Sequence, residues 1–410
     1  MSRTTVQCRR PLWSRLYRSL TEAGSPRAYS LLAAAVILLT GTGAPGQNVS
    51  VSDYSVPVSR ADNLRIDALS LDYQSVGDSI VSQTGNLVLV YKKFYESLPF
   101  AYSIDLIGSA SFRRDTQNDK LTGDAQSNLL TRVKKYRRDE GNFFAFGETD
   151  FDIDKDNERP GLDTTIGFGW GRFINATALR KAVRIEDFLL DEGIISERMP
   201  RDSMIELGHI IEKEAEYREL YGDRYQNYWY EDMQNEIQKS RKVLGSIGAI
   251  GVLRMQEVLE KERINERFYG WDLSAGIQLE ALTPNRGELR DDPAFSLGLR
   301  YSRPISWSTQ INTDFNINTP FSGDFGRRYN IDWQTDFIYE ISNKINLTFV
   351  HLLSLRKKED EKAQHDNIGS AGFNFFIENK INLNAACVMR KDETNPWHLS
   401  FTTGLSYRIF

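Results

Sequence analysis

From Ile305 to Asn318 the side chains alternate without a slip. Ile305, Trp307, Thr309, Ile311, Thr313, Phe315 and Ile317 share one face, and Ser306, Ser308, Gln310, Asn312, Asp314, Asn316 and Asn318 share the other. Successive side chains of a strand point to opposite faces, so the pattern predicts a strand between an apolar medium and a wet one. The run is far longer than the five or six residues usual in soluble sheets, and it suits a tilted strand that crosses a bilayer.

The same period recurs along most of the chain. Working back from the end, it predicts strands over 397–409, 381–390, 367–378, 344–356, 327–341, 305–318, 293–303 and 269–283. Ahead of a central interruption it predicts 160–174, 142–154, 121–136 and 98–114, with weaker strands near 82–95 and 64–75. In 327–341, Tyr329, Ile331, Trp333, Thr335, Phe337 and Tyr339 face the apolar side, whereas Asn330, Asp332, Gln334, Asp336 and Glu340 face the wet one. The expectation is an all-β transmembrane antiparallel β-barrel of about 14 strands, with 12 as the alternative even count.

Connection lengths set sidedness. Glu378-Asn-Lys380, Ser342-Asn-Lys344 and Arg303-Pro304 are short, and they alternate with the longer Lys357–Asp366, Pro320–Gly326 and Pro284–Asp292. Short turns belong to the periplasmic end, so the interruption at 175–268 emerges there as well. Its apolar spacing is helical. Thr177 caps a first helix that Gly193 stops, Ser203-x-x-Glu206 is a capping box for a second, Asp223 starts a third, and a fourth runs over 244–263. The predicted organisation is a first barrel part over 47–174, an α-helical periplasmic insert over 175–268 and a second barrel part of eight strands over 269–410.

Residues 1–46 read differently. Six Arg, the apolar run Leu31–Leu39 and a small-residue tail describe a secretory signal peptide, with cleavage before Gln47. Those residues hold six Arg and one Glu, so without them the formal charge moves from −5 to −10. Such an acidic chain is not a nucleic-acid partner. Cys387 is the lone cysteine beyond residue 46, which excludes an intramolecular disulfide there, and no cofactor or metal site is expected. Asp150 and Asp152 lie in an acidic run that lacks the Gly and distal Glu of a calcium loop, so they read as solvated loop acids.

The repeated two-residue period and the terminal Gly404-Leu-Ser-Tyr-Arg-Ile-Phe410 resemble the porin-like outer-membrane β-barrels of Gram-negative bacteria. The resemblance covers about 300 residues at the level of architecture. Tyr407 and Ile409 keep the apolar phase, and Phe410 falls one step out of it. The resemblance implies residence in the outer membrane, contact with its lipid, and recognition of the last strand by the barrel-assembly machinery.

Candidate chemistry follows from the predicted faces. Asp105, Glu148, Asp150, Asp152, Asp163, Asp272, Glu280, Asp314, Asp332, Asp336, Glu340 and Glu378 point into the lumen. Arg113, Arg132, Lys134, Arg300 and Arg390 oppose them, so acids outnumber bases and the interior leans toward cations. Mutual pairing that plugs the lumen is the other reading. The inward glycines of Gly167-Phe-Gly-Trp-Gly-Arg172 either leave room for something bulky or relieve strain where the wall curves. Tyr225, Tyr228, Trp229 and Tyr230 form either a docking surface for a periplasmic protein or peptidoglycan, or the core of the helical insert. His351 lies on the lipid-facing phase without a suitably placed nucleophile, and no catalysis is expected. Two functions survive: a channel or porin-like transporter with an acidic lumen gated by the insert, and a non-conducting anchor whose insert docks a partner.

Overall fold

The computed structural model describes residues 47–410 apart from 56–57, 77–78, 98, 116–119, 140, 263, 288, 324, 343, 359–360, 378–380, 393–396 and 408–410. The expected leader over 1–46 and the terminal Phe410 therefore lie outside the described residues. Fourteen strands form one sheet in which neighbours in space are neighbours in sequence, and each ladder is antiparallel. They are β1 (Val58–Val76), β2 (Ser79–Ser97), β3 (Phe100–Asp115), β4 (Lys120–Tyr136), β5 (Phe143–Asp154), β6 (Gly161–Asn175), β7 (Phe268–Leu282) and β8 (Ala294–Pro304). After them come β9 (Thr309–Pro320), β10 (Tyr329–Ser342), β11 (Ile345–Lys357), β12 (Gln364–Ile377), β13 (Ile381–Asp392) and β14 (His398–Tyr407).

Register keeps each phase on its own face. Ile311, Phe337, Phe349, Ala371, Cys387 and Phe401 are successive cross-strand partners from β9 to β14. Asp272, Arg300, Asp314, Gln334 and Leu352 form the matching row on the opposite face from β7 to β11. Because the side-chain period is two, a slip of one residue would exchange the whole sets. The polar face is concave: Glu96 on β2 is within electrostatic reach of Arg300 on β8, and Asp336 on β10 of Lys92 on β2. Strands so far apart in the order meet only if the sheet curls. The opposite face carries exposed Ile166 (62 %), Phe168 (61 %) and Trp170 on β6. No ladder joins β1 to β14 among the described residues.

The strand expected over 305–318 is shorter at its start. β8 continues through Pro304, Ile305–Ser308 form the turn, and the N–H groups of Ile305 and Ser306 both donate to the Thr309 carbonyl. The alternation there is incidental to a tight turn. Trp307 is consequently half-buried and packs on the helical core, donating its indole N–H to Val49 O at 3.0 Å.

Between β6 and β7 lie five α-helices rather than four: α1 (Thr177–Asp191), α2 (Arg201–Glu212), α3 (Glu214–Tyr221), α4 (Tyr225–Lys239) and α5 (Gly248–Gln256). A 3-10 turn precedes α4 and a π turn, Glu257–Lys261, follows α5. Three expected starts need correction. Thr177 opens α1 as a helical residue, and Asn175 Oδ1 accepts from its N–H (2.9 Å) and hydroxyl (2.6 Å). Pro200, held extended, lets α2 begin at Arg201, so Ser203 and Glu206 lie inside the helix and form no capping box. Gly222–Arg224 form the 3-10 turn, so Asp223 precedes α4 without starting it. Gly193, at φ 66°, does end the α1 segment.

Residues 47–55 join the helices instead of the sheet. Val49, Val51 and Tyr54 lie in one apolar core with Leu179, Ile185, Leu207, Met233 and Ile237. The connection into α2 is fixed by Glu186, whose carboxylate accepts from the Met199 N–H (2.6 Å) and from Arg198 (2.8 Å). Burial raises the Glu186 pKa, and those hydrogen bonds oppose the shift.

Candidate functional site

The concave face is one electrostatic surface. Asp105, Glu148, Asp272, Glu280, Arg300, Asp314, Asp332, Asp336, Glu340 and Arg390 share its phase through successive cross-strand partners. Glu378 lies outside the described residues. Asp150 and Asp152 belong to β5 and not to a loop, and Asn128 donates to Asp150 at 2.6 Å. Asp150, Asp163 and Glu280 are direct neighbours across β5, β6 and β7. Like charges so placed repel. Amides soften the row, with Gln278 donating to Asp163 at 2.9 Å.

Access to this face falls steadily toward the insert. Along β10, Asp332 and Gln334 are exposed, Asp336 and Ile338 are half-buried, and Glu340 is 7 % exposed. On neighbouring strands Gln310, Ser302 and Asp272 are likewise buried at that end. The concave face is therefore open in the half away from the helices, half-buried at its middle and closed where the short turns and helices lie.

Two charged clusters make the closure. In the first, Lys134 on β4 reaches across β5 and β6 to Asp272 on β7, 2.8 Å from Oδ2, and Arg300 meets the same oxygen at 2.7 Å. Lys134 (5 % exposed) and Asp272 (2 %) are buried together. The glycines of β6 make the crossing possible. A Cβ at Gly169 would collide with the Phe144 ring and the Leu273 carbonyl, and on the adjacent β7 one at Gly276 would lie 3.1 Å from Phe146 Cζ. The bulk accommodated by these glycines is thus the pair of phenyl rings from β5. Lys134 Nζ lies 4.6 Å from the Phe144 ring centroid, and Arg300 lies over Phe173 at 4.4 Å.

In the second cluster Glu340 joins sheet to helices. Its carboxylate accepts from Arg180 of α1 (2.6 Å), from Arg267 just before β7 (2.7 Å) and from Asn265 (3.0 Å). Arg267 is fully buried and also donates twice to the Trp307 carbonyl at 3.2 Å. Glu340 therefore does not line open space. These contacts escape sequence reading because the partners are far apart in the chain and nothing local marks them.

The aromatic run of α4 divides. Trp229 and Tyr230 are core residues, with the Trp229 indole donating to Ile210 O (2.7 Å) and the Tyr230 hydroxyl to Glu260 (2.9 Å). Tyr225 packs on that core. Tyr228 is 44 % exposed and stacks on Tyr221, with centroids 4.1 Å apart. Leu244, Ile250 and Leu253 are also exposed on the helical segment.

No protein family matches the chain, and no curated protein matches it. Among solved structures it is similar to the closed form of the ferric-catecholate import receptor Fiu from E. coli K12, at 7 % identity and a TM-score of 0.27. The similarity covers 86 % of this chain, which spans only 62 % of that receptor's length. A likeness so low carries no argument about fold or function.

Proposed function

We propose that β1 and β14 close the sheet into a barrel of the bacterial outer membrane, and that the barrel is a transport pathway gated by its helical segment. The observation that carries this reading is the gradient along the concave face, open at the end away from the helices and closed under them. A face meant only to fill a barrel has no need of exposed Asp332 and Gln334. The row Asp150, Asp163 and Glu280 inclines the path toward cations. The apolar outer phase contacts lipid, β14 is the strand offered to the assembly machinery, and the helices lie in the periplasm at the short-turn end. The reading includes no catalytic step.

A second reading rests on the exposed Leu244, Ile250 and Leu253, which suit a barrel that anchors a docking domain. Single-channel recording separates the two. Folded full-length protein is expected to be mostly closed, and protein lacking 176–267 to pass steady cation-selective current. Silence from both folded forms would sink the pore and leave the anchor.

A further inference from the structure

The helical segment is attached to the sheet at two covalent points. Its entry and exit meet at one of them, where the Ala176 N–H donates to Arg267 O (2.7 Å) and the Arg267 N–H to Thr177 Oγ1 (3.0 Å). The other is the segment 47–55, which lies in the helical core and leads into β1. In a closed ring of fourteen strands, β1 and the β6–β7 junction stand nearly opposite each other. The line between them is an axis, and β10 lies to one side of it.

Glu340 of β10 is therefore placed where a rotation about that axis would pull hardest. Its two arginines differ in allegiance. Arg267 is fully buried at the root of β7 and is bound as well to the Trp307 carbonyl, so it belongs to the frame. Arg180 belongs to α1. It gives Nη2 to Glu340, while its Nε is buried with no hydrogen-bond partner. A buried donor left unmade penalises the closed state, so the bond that holds it shut is opposed from within the same side chain.

We infer that the helical segment is a hinged lid, latched by Arg180 on Glu340 beside the Trp307 indole that packs on the helical core, and that it tilts open on the β10 side, sliding off Trp307 while Arg267 keeps its hold on Glu340. The inference rests on the barrel reading above, but its test does not depend on conduction. Asn346 is the cross-strand partner of Glu340 and is 6 % exposed, so a cysteine there reports opening. Met233, buried in the helical core, reports unfolding of the helices instead.

The experiment uses full-length protein in bilayers, with Cys8 and Cys387 replaced by Ser and a water-soluble maleimide as probe. Arg180→Gln is expected to speed labelling of Asn346→Cys on the order of 10- to 100-fold, with Met233→Cys unchanged. Arg180→Lys, which keeps the charge, gives a smaller rise. An unchanged rate at 346 in folded Arg180→Gln protein would overturn the latch. Equal acceleration at 346 and 233 would overturn it too, because the helices would then be melting and not tilting. Current measured on the same variants tests the pore separately.

Discussion

Asp272→Asn is expected to destabilise the folded protein by about 3–5 kcal/mol, the cost typical of breaking a buried ion pair by removing one partner. The carboxylate serves two cations at one oxygen, and the two suffer differently when it goes. Arg300 retains a third of its side-chain exposure and has Asp314 directly opposite, so water and a second acid still reach it. Lys134 is worse placed. It is enclosed by the Phe144 ring and the glycine floor of β6, and its buried ammonium would keep only the longer-range attraction of Glu96 on β2. Most of the loss therefore comes from Lys134, and Lys134→Met in the Asp272→Asn background should recover much of it. Denaturant unfolding followed by tryptophan fluorescence measures both proteins. A single variant within about 0.5 kcal/mol of wild type, as for an ordinary surface change, would contradict the burial assigned to this cluster.

Trp229→Ala is expected to cost the helical segment about 3–5 kcal/mol, as large-to-small changes at buried aromatic positions do. The indole is 2 % exposed, and its loss also removes the 2.7 Å bond to the Ile210 carbonyl, which then keeps the Lys213 N–H as a donor. Tyr228→Ala, which removes an exposed ring and one stacking contact, should cost less than about 1.5 kcal/mol. Circular dichroism of the full-length protein through its thermal transition distinguishes them. If α4 served mainly as a docking face, both substitutions would leave the transition in place.

The sheet was largely legible because its cause is local. A strand between lipid and water repeats every two residues, so the phases of β7 to β14 can be read directly from Ile311, Phe337, Ala371 or Phe401 and their alternates. Turn chemistry marks the breaks in most places. It failed at Ile305–Ser308, where four turn residues happen to alternate, and Trp307 was assigned to lipid although it packs on helices. Helix starts were less readable, since Ser203 and Glu206 carry a capping pattern that Pro200 pre-empts by starting α2 three residues earlier.

The candidate site was only half legible. Phase alone assigns Asp272, Arg300 and Glu340 to the concave face, but not their partners. Lys134 meets Asp272 across two intervening strands, and Arg180 meets Glu340 across the boundary between helices and sheet. Curvature and docking decide such pairs, and neither leaves a periodic trace. Gly169 did signal that something bulky lies over β6, whereas Gly167 is required by the close approach of the Ala275–Gly276 backbone of β7. That the bulk at Gly169 is Phe144 follows only from the register of β5 on β6. Residues 47–55 carry no helical or strand period, so nothing marked Tyr54 as a core residue.

The central claim is that one face of this sheet meets water and the other lipid within a membrane. Cysteine scanning along β10 in bilayers, with a membrane-impermeant maleimide and the native cysteines replaced, tests it most directly. Labelling should alternate: Asn330, Asp332, Gln334 and Asp336 positions react, and Ile331, Trp333, Thr335 and Phe337 positions do not. Equal reactivity of the two phases would contradict the account.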